Sequence, residues 1–108
     1  MIDINYMHKV IDEMLVKFGE DLQFMVCIEE MGELMQAISK YFRVKGLEPE
    51  NQEKLEKCKA NIIEETADVI NCASQIARMF GEDKVEEQML FKLKRVEERM
   101  KKLDSKKE

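Results

Sequence analysis

Residues 22–39, LQFMVCIEEMGELMQAIS, and residues 60–77, ANIIEETADVINCASQIA, decide how this chain folds. Each window holds three acids and no lysine or arginine, in a sequence of which 38% is charged. The two superimpose when Cys27 is set over Ile62, so that Cys27-Ile28-Glu29-Glu30-Met31-Gly32-Glu33-Leu34 lies over Ile62-Ile63-Glu64-Glu65-Thr66-Ala67-Asp68-Val69. On a helix turning about 100° per residue, Glu30 and Glu33 share one face, as do Glu65 and Asp68, with Glu29 and Glu64 at the neighbouring edge. Pro49 falls midway between the motifs. An antiparallel helical hairpin centred there brings the two acidic faces level and crowds at least four carboxylates around one point between apolar helices.

Outward from this pair, Ile4, Met7, Ile11, Met14, Leu15 and Phe18 mark one face of a first helix that Gly19 stops. A second helix is expected from near Asp21 to about Val44, with Gly46 past its end. No glycine or proline interrupts the chain from Glu50 to Phe80, so one long helix or two stacked shorter ones lie there, with a break expected near Lys59. After Gly81, Asp83-x-x-Glu86 reads as a capping box opening a last helix with apolar positions Val85, Met89, Leu93, Val96, Met100 and Leu103. The tail, residues 104–108, is expected to fray. The predicted fold is all-α, a four-helix bundle forming one domain over residues 1–103. A 12.8 kDa subunit of this kind buries only a thin core, and its nine methionines with many Ile and Leu exceed what that core needs. A homodimer or homotetramer is therefore expected.

Composition closes several other routes. No run reaches the roughly 18 uninterrupted apolar residues of a membrane span, and the N-terminus lacks the basic start and apolar run of a signal peptide, so a cytoplasmic protein without a membrane partner is expected. Cys27, Cys58 and Cys72 form an odd set with no C-x-x-C spacing, in keeping with buried, reduced thiols. Residues 1–83 carry 9 basic and 17 acidic side chains, and residues 84–108 carry 9 basic and 6 acidic. With a pI near 5.1 the chain lacks the basic character expected of a nucleic-acid-binding domain.

Crowded carboxylates repel, and burying them without a cation is expensive. Two plainer readings stand beside a metal site: solvated surface acids, or acids neutralised by Lys92, Arg95 or Arg99 of the last helix. Against the first, the other positions of both windows are apolar or small; against the second, six acids outnumber those bases. An oxygen-only ligand set selects hard divalent cations, Mg²⁺ first and Mn²⁺ next. A di-iron carboxylate bundle wants Glu-x-x-His on two helices, and His8 is the only histidine.

Glu29-Glu30-Met31-Gly32-Glu33 and Glu65-Thr66-Ala67-Asp68 resemble the E-E-x-x-E and E-x-x-D motifs of the MazG-type all-α nucleoside triphosphate pyrophosphohydrolases. The likeness extends to Gln23, to Lys40-Tyr41-Phe42-Arg43 and to Lys92-x-x-Arg95-x-x-x-Arg99, and is similar to small phage and bacterial MazG-like proteins over about residues 20–100. The resemblance implies that Glu30, Glu33, Glu65 and Asp68 hold Mg²⁺ on a nucleoside triphosphate, whose α–β anhydride is hydrolysed to monophosphate and pyrophosphate. Glu29 or Glu64 would then serve as general base. Phosphoryl transfer also needs positive charge, for which Lys92 and Arg95 come first and Lys40 and Arg43 second. Asn71, one turn beyond Asp68, and Gln23 and His8 are candidates for substrate binding, with Phe24 and Tyr41 as possible walls for a base. The alternative from another class is a catalytically silent helical module that binds a nucleotide or a protein partner. Pyrophosphate release from a nucleotide panel, with and without Mg²⁺, separates the two.

Overall fold

The computed structural model describes the backbone of residues 1–107 and the side chains of residues 1–106. It is all-helical: α1 (Ile4–Phe18), α2 (Glu20–Leu47), α3 (Gln52–Phe80) and α4 (Glu82–Lys107), with no strand among the described residues. The chain falls into two compact units, Met1–Ile76 and Ala77–Glu108.

In the first unit, Asp3 caps α1 by accepting a hydrogen bond from the Asn5 amide at 2.9 Å. Of the expected apolar face, Ile11 is buried and Met7, Met14 and Leu15 are half-buried, while Ile4 and Phe18 at its two ends are exposed. Gly19, at φ +85°, is the whole link between α1 and α2; its amide donates to the Leu15 carbonyl, and its own carbonyl accepts from the Gln23 amide. That positive φ suits glycine, whose missing Cβ removes the usual penalty. Glu20 and Asp21 in the first turn of α2 complement the positive end of its dipole.

α2 runs past Val44 to Leu47, so Gly46 lies inside its last turn and not beyond it. The stop comes from the next residues. The Glu48 amide closes on the Val44 carbonyl at 2.8 Å, and Pro49 disfavours helical geometry in the residue before it. The turn is then fixed locally: the Asn51 side chain accepts from the Lys54 amide, the Gln52 side chain donates to the Pro49 carbonyl, and Lys54 pairs with Glu48 at 2.7 Å.

The break expected near Lys59 is absent, and α3 is continuous. Lys59 instead pairs with Glu56 at 3.0 Å and Lys57 with Glu53 at 3.4 Å, ordinary one-turn ion pairs on an exposed helix face. Where α2 and α3 meet, the seam is built of small side chains. Cys27, Ala37 and Val44 of α2 and Cys58 and Cys72 of α3 are buried, and the Cys27 thiol reaches the Cys72 carbonyl at 3.6 Å. None of the three cysteines forms a disulfide.

In the second unit, Gly81, at φ +120°, ends α3 by donating to the Ala77 carbonyl, and its own carbonyl accepts from the Val85 amide. α4 therefore starts at Glu82, and Asp83 lies inside its first turn instead of capping it. Arg78 pairs with Glu82 at 2.6 Å. α4 continues through the tail to Lys107, and Glu108 lies outside the described residues. Lys101 pairs with Glu97 and Glu98 at 3.7 Å, exposed one-turn pairs on the helix surface.

The two kinds of glycine separate experimentally. Gly46 is helical with open space around a built Cβ, whereas Gly19 holds its positive φ. Gly46→Ala should raise stability by about 0.5–1 kcal/mol, and Gly19→Ala should lower it by about 1–2 kcal/mol, both read by urea denaturation. Equal shifts of one sign would contradict this account of the corner.

Candidate functional site

Glu33 of α2 and Glu65 of α3 stand the same distance, sixteen residues, on either side of Pro49, and Glu30 and Asp68 stand nineteen residues on either side. The seam fixes this register. Cys27 and Cys72 flank the acids on one side and Ala37 and Cys58 on the other, all buried. Between these small buried side chains, glutamates of both helices converge on one place.

Carboxylate oxygens of Glu30, Glu33 and Glu65 all lie within 4.8 Å of one another. Glu30 and Glu65 are half-buried, and the Oε2 of each is shut from solvent without a hydrogen-bond partner. Glu33 is exposed and Asp68 half-buried. Asp68 is not one of the close trio, but its charge acts on both Glu30 and Glu65. Glu29 and Glu64 stand exposed at the edge, Glu64 adding its charge beside Glu65.

This crowding shows in protonation. Loss of solvent, then the charges of Glu33 and Asp68, a hydrogen bond to Glu33 and the charge of Glu65, push the Glu30 carboxyl from 4.5 up to about 7. Glu65 is raised in the same direction by burial, by Glu33 and Asp68, by a hydrogen bond to Glu33 and by Glu64. Beneath them the Cys72 thiol is pushed up to about 12, by burial first, then by Cys27 and the nearby acids. A thiol held so far above neutrality is a packing group, not a nucleophile.

A hard divalent cation fits this donor set. The ligands are all oxygens, they converge, and the two orphaned Oε2 atoms are acceptors that the fold leaves unmet. Glu30, Glu33 and Glu65, with Asp68 beside them, are the residues that could hold it.

The other sequence candidates fall in several places. Lys40 and Arg43 are exposed on α2 towards the turn. Lys40 lines a cavity of about 330 Å³ with Lys54, Lys57 and Asn61 over the buried Cys58. Lys92 and Arg95 are exposed on α4 in the second unit, where the Arg95 guanidinium lies 5.9 Å from the Phe91 ring centre. Gln23 is buried in α2, His8 is half-buried on α1, and Phe24 is half-buried on α2. Tyr41 packs edge-on to Phe42 with Lys45 over its ring at 5.8 Å.

Asn71 lines a cavity of about 310 Å³ together with residues of α1 and with Gln75. Gln75, Lys54 and Lys57 were not among the sequence candidates. The signal for Gln75 is its spacing, seven residues after Asp68 and so on the same face; the two lysines sit among other charges and carry no comparable mark.

The raised carboxyls set a pH dependence. Between 4.5 and about 7 the folded chain holds more protons than the unfolded one at Glu30, so this group's contribution is fully present below 4.5 and is lost as pH rises through about 7. In the presence of a chelator, the thermal midpoint of Glu30→Gln should fall less than that of the parent between about pH 5 and about pH 8. Parallel profiles would contradict the assignment.

No family model, no curated protein and no solved structure matches this chain.

Proposed function

We propose that this chain is a Mg²⁺-dependent nucleotide pyrophosphohydrolase that cleaves the α–β anhydride of a nucleoside triphosphate to the monophosphate and pyrophosphate. The observation that carries this reading is the trio Glu30, Glu33 and Glu65, drawn within 4.8 Å with two buried oxygens unmet. Carboxylates held this close destabilise one another, and a bound cation turns that repulsion into affinity. The order of the two acidic motifs, similar to that of MazG-type enzymes, supports the choice of reaction.

In this reading Glu30, Glu33, Glu65 and Asp68 hold Mg²⁺, with Mn²⁺ as the alternative. When bound, the ion polarises phosphoryl oxygens and lowers the pKa of bound water. Glu29 or Glu64, exposed at the rim, accepts the proton of the attacking water. The water oxygen bonds to phosphorus, the bridging P–O bond breaks, and the electron pair leaves with pyrophosphate or the monophosphate. The resemblance makes Lys92 and Arg95 the first candidates, and Lys40 and Arg43 the second, for the positive charge that the phosphate chain needs.

The reading includes self-association as a dimer or a dimer of dimers. Met25, Ile28, Met31, Met35, Ile38 and Phe42 follow one another along α2 at steps of three and four residues, and all are exposed, Met35 at 68%. A continuous apolar stripe of this length is the kind of face that a second subunit covers.

Two measurements test these claims. Turnover should yield monophosphate and pyrophosphate, and Glu33→Gln and Asp68→Asn should lower it by on the order of 10²-fold or more while abolishing the rise in thermal midpoint that Mg²⁺ gives the parent. Diphosphate and orthophosphate as primary products would refute the assignment. Light scattering at micromolar concentration should give a dimer or tetramer mass, reduced by Met35→Glu; a monomeric parent would overturn the oligomer.

A further inference from the structure

A cavity of about 310 Å³ separates α1 from the part of α3 that follows the acidic cluster. Its walls include Tyr6, Met7, Ile11 and Met14 of α1, and its polar groups are the carboxamides of Asn71 and Gln75 of α3. Gln75 is only 4% exposed, and its Oε1 has no hydrogen-bond partner. A glutamine buried in this way is a poor packing residue, because its acceptor has given up water and received nothing in exchange. The same position filled by leucine would carry no such penalty.

We propose that this cavity is a nucleobase subsite and that Gln75 is its base-reading residue, an inference that rests on the nucleotide reading of the neighbouring carboxylates. Two features of the ligand are set by the walls. It must be flat and largely apolar on its faces, to lie against the Tyr6 ring and the methionine thioethers of α1. It must also offer an N–H at its inner edge, to meet the Gln75 oxygen. A planar carboxamide presents a donor beside an acceptor, the complement of the hydrogen-bonding edge of a heterocyclic base.

Position along α3 agrees. Asp68, Asn71 and Gln75 follow at steps of three and four residues, and Gln75 lies about 10 Å along the helix axis from Asp68. That is the direction and scale needed for a nucleotide whose phosphates lie at Glu30, Glu33, Glu65 and Asp68 and whose sugar passes Asn71. Asn71, exposed where Gln75 is buried, stands at the mouth.

The test uses the intact protein labelled with ¹³C at the methionine methyls, since Met7 and Met14 line the cavity and Met35 and Met100 do not. Without divalent cation, nucleoside monophosphates of the common bases are titrated in, with ribose 5-phosphate as the ligand lacking only the base. The Met7 and Met14 methyls should shift with at least one nucleotide and stay still with ribose 5-phosphate. Gln75→Leu should weaken that nucleotide about tenfold or more while raising the thermal midpoint of the ligand-free protein, a combination that a merely structural glutamine would not give. Tyr6→Leu, at a position 65% exposed, should weaken it as well.

Equal shifts with ribose 5-phosphate, shifts confined to methionines outside the cavity, or unchanged nucleotide affinity in both variants would overturn the subsite. Hydrolysis of nucleoside triphosphates with Met7 and Met14 unmoved would refute the subsite and leave the proposed reaction standing. Base-dependent shifts in a protein that hydrolyses no nucleotide would do the reverse.

Discussion

Repulsion among like charges is the constraint around which the first unit is arranged. Hydrophobic burial alone would favour apolar residues between α2 and α3, and at Cys27, Ala37, Cys58 and Cys72 the seam does use small, weakly polar ones. In the middle of that seam it brings together Glu30, Glu33 and Glu65, and loss of solvent there raises the cost of keeping them ionised. A fold retains such an arrangement at the expense of stability, so the surrounding packing must be sufficient without it. The buried cysteines and alanine on either side of the acids supply that packing.

Much of this was legible in the sequence because it depends on period and symmetry. The equal spacing of the two acidic motifs about Pro49 fixes the register of a hairpin once both flanks are helical, and the trio follows from that register. Gly19 and Gly81 were legible as stops for a related reason: each falls where an apolar series ends. The misread positions are those where two local signals compete. Gly46 looked like a terminator, yet the helix needs no special φ there and continues until Pro49 intervenes. Lys59 looked like a break because the segment was long, whereas the charges around it pair within the helix. Asp83 matched a capping pattern, but the preceding glycine had already closed one helix and begun the next.

The site divides in the same way. Carboxylates announce themselves when three or four occupy a helix face without compensating bases, so Glu30, Glu33, Glu65 and Asp68 were visible. Gln75 carried only its spacing from Asp68, and a lone amide gains weight once its burial and its missing partner are known. The apolar residues show a third case. The excess of methionine and other apolar residues over what a thin core needs was legible in composition, and Met25, Ile28 and Met35 are exposed on the single chain; neither fact says what covers that face.

The one-residue links at Gly19 and Gly81 bear on how this chain can change in length. Each corner is closed by hydrogen bonds on both sides of a single glycine at positive φ, so an added residue there would displace both flanking helices by part of a turn. The turn at residues 48–51 is exposed at Pro49, Glu50 and Asn51, and is held by side-chain contacts that do not pass through a glycine. Insertions, tags or a new pair of chain ends are therefore best accommodated at that turn, where loop closure costs little. It lies at the end of the hairpin away from Gln75, so this protein has a natural place for grafts that leaves the carboxylate seam in register.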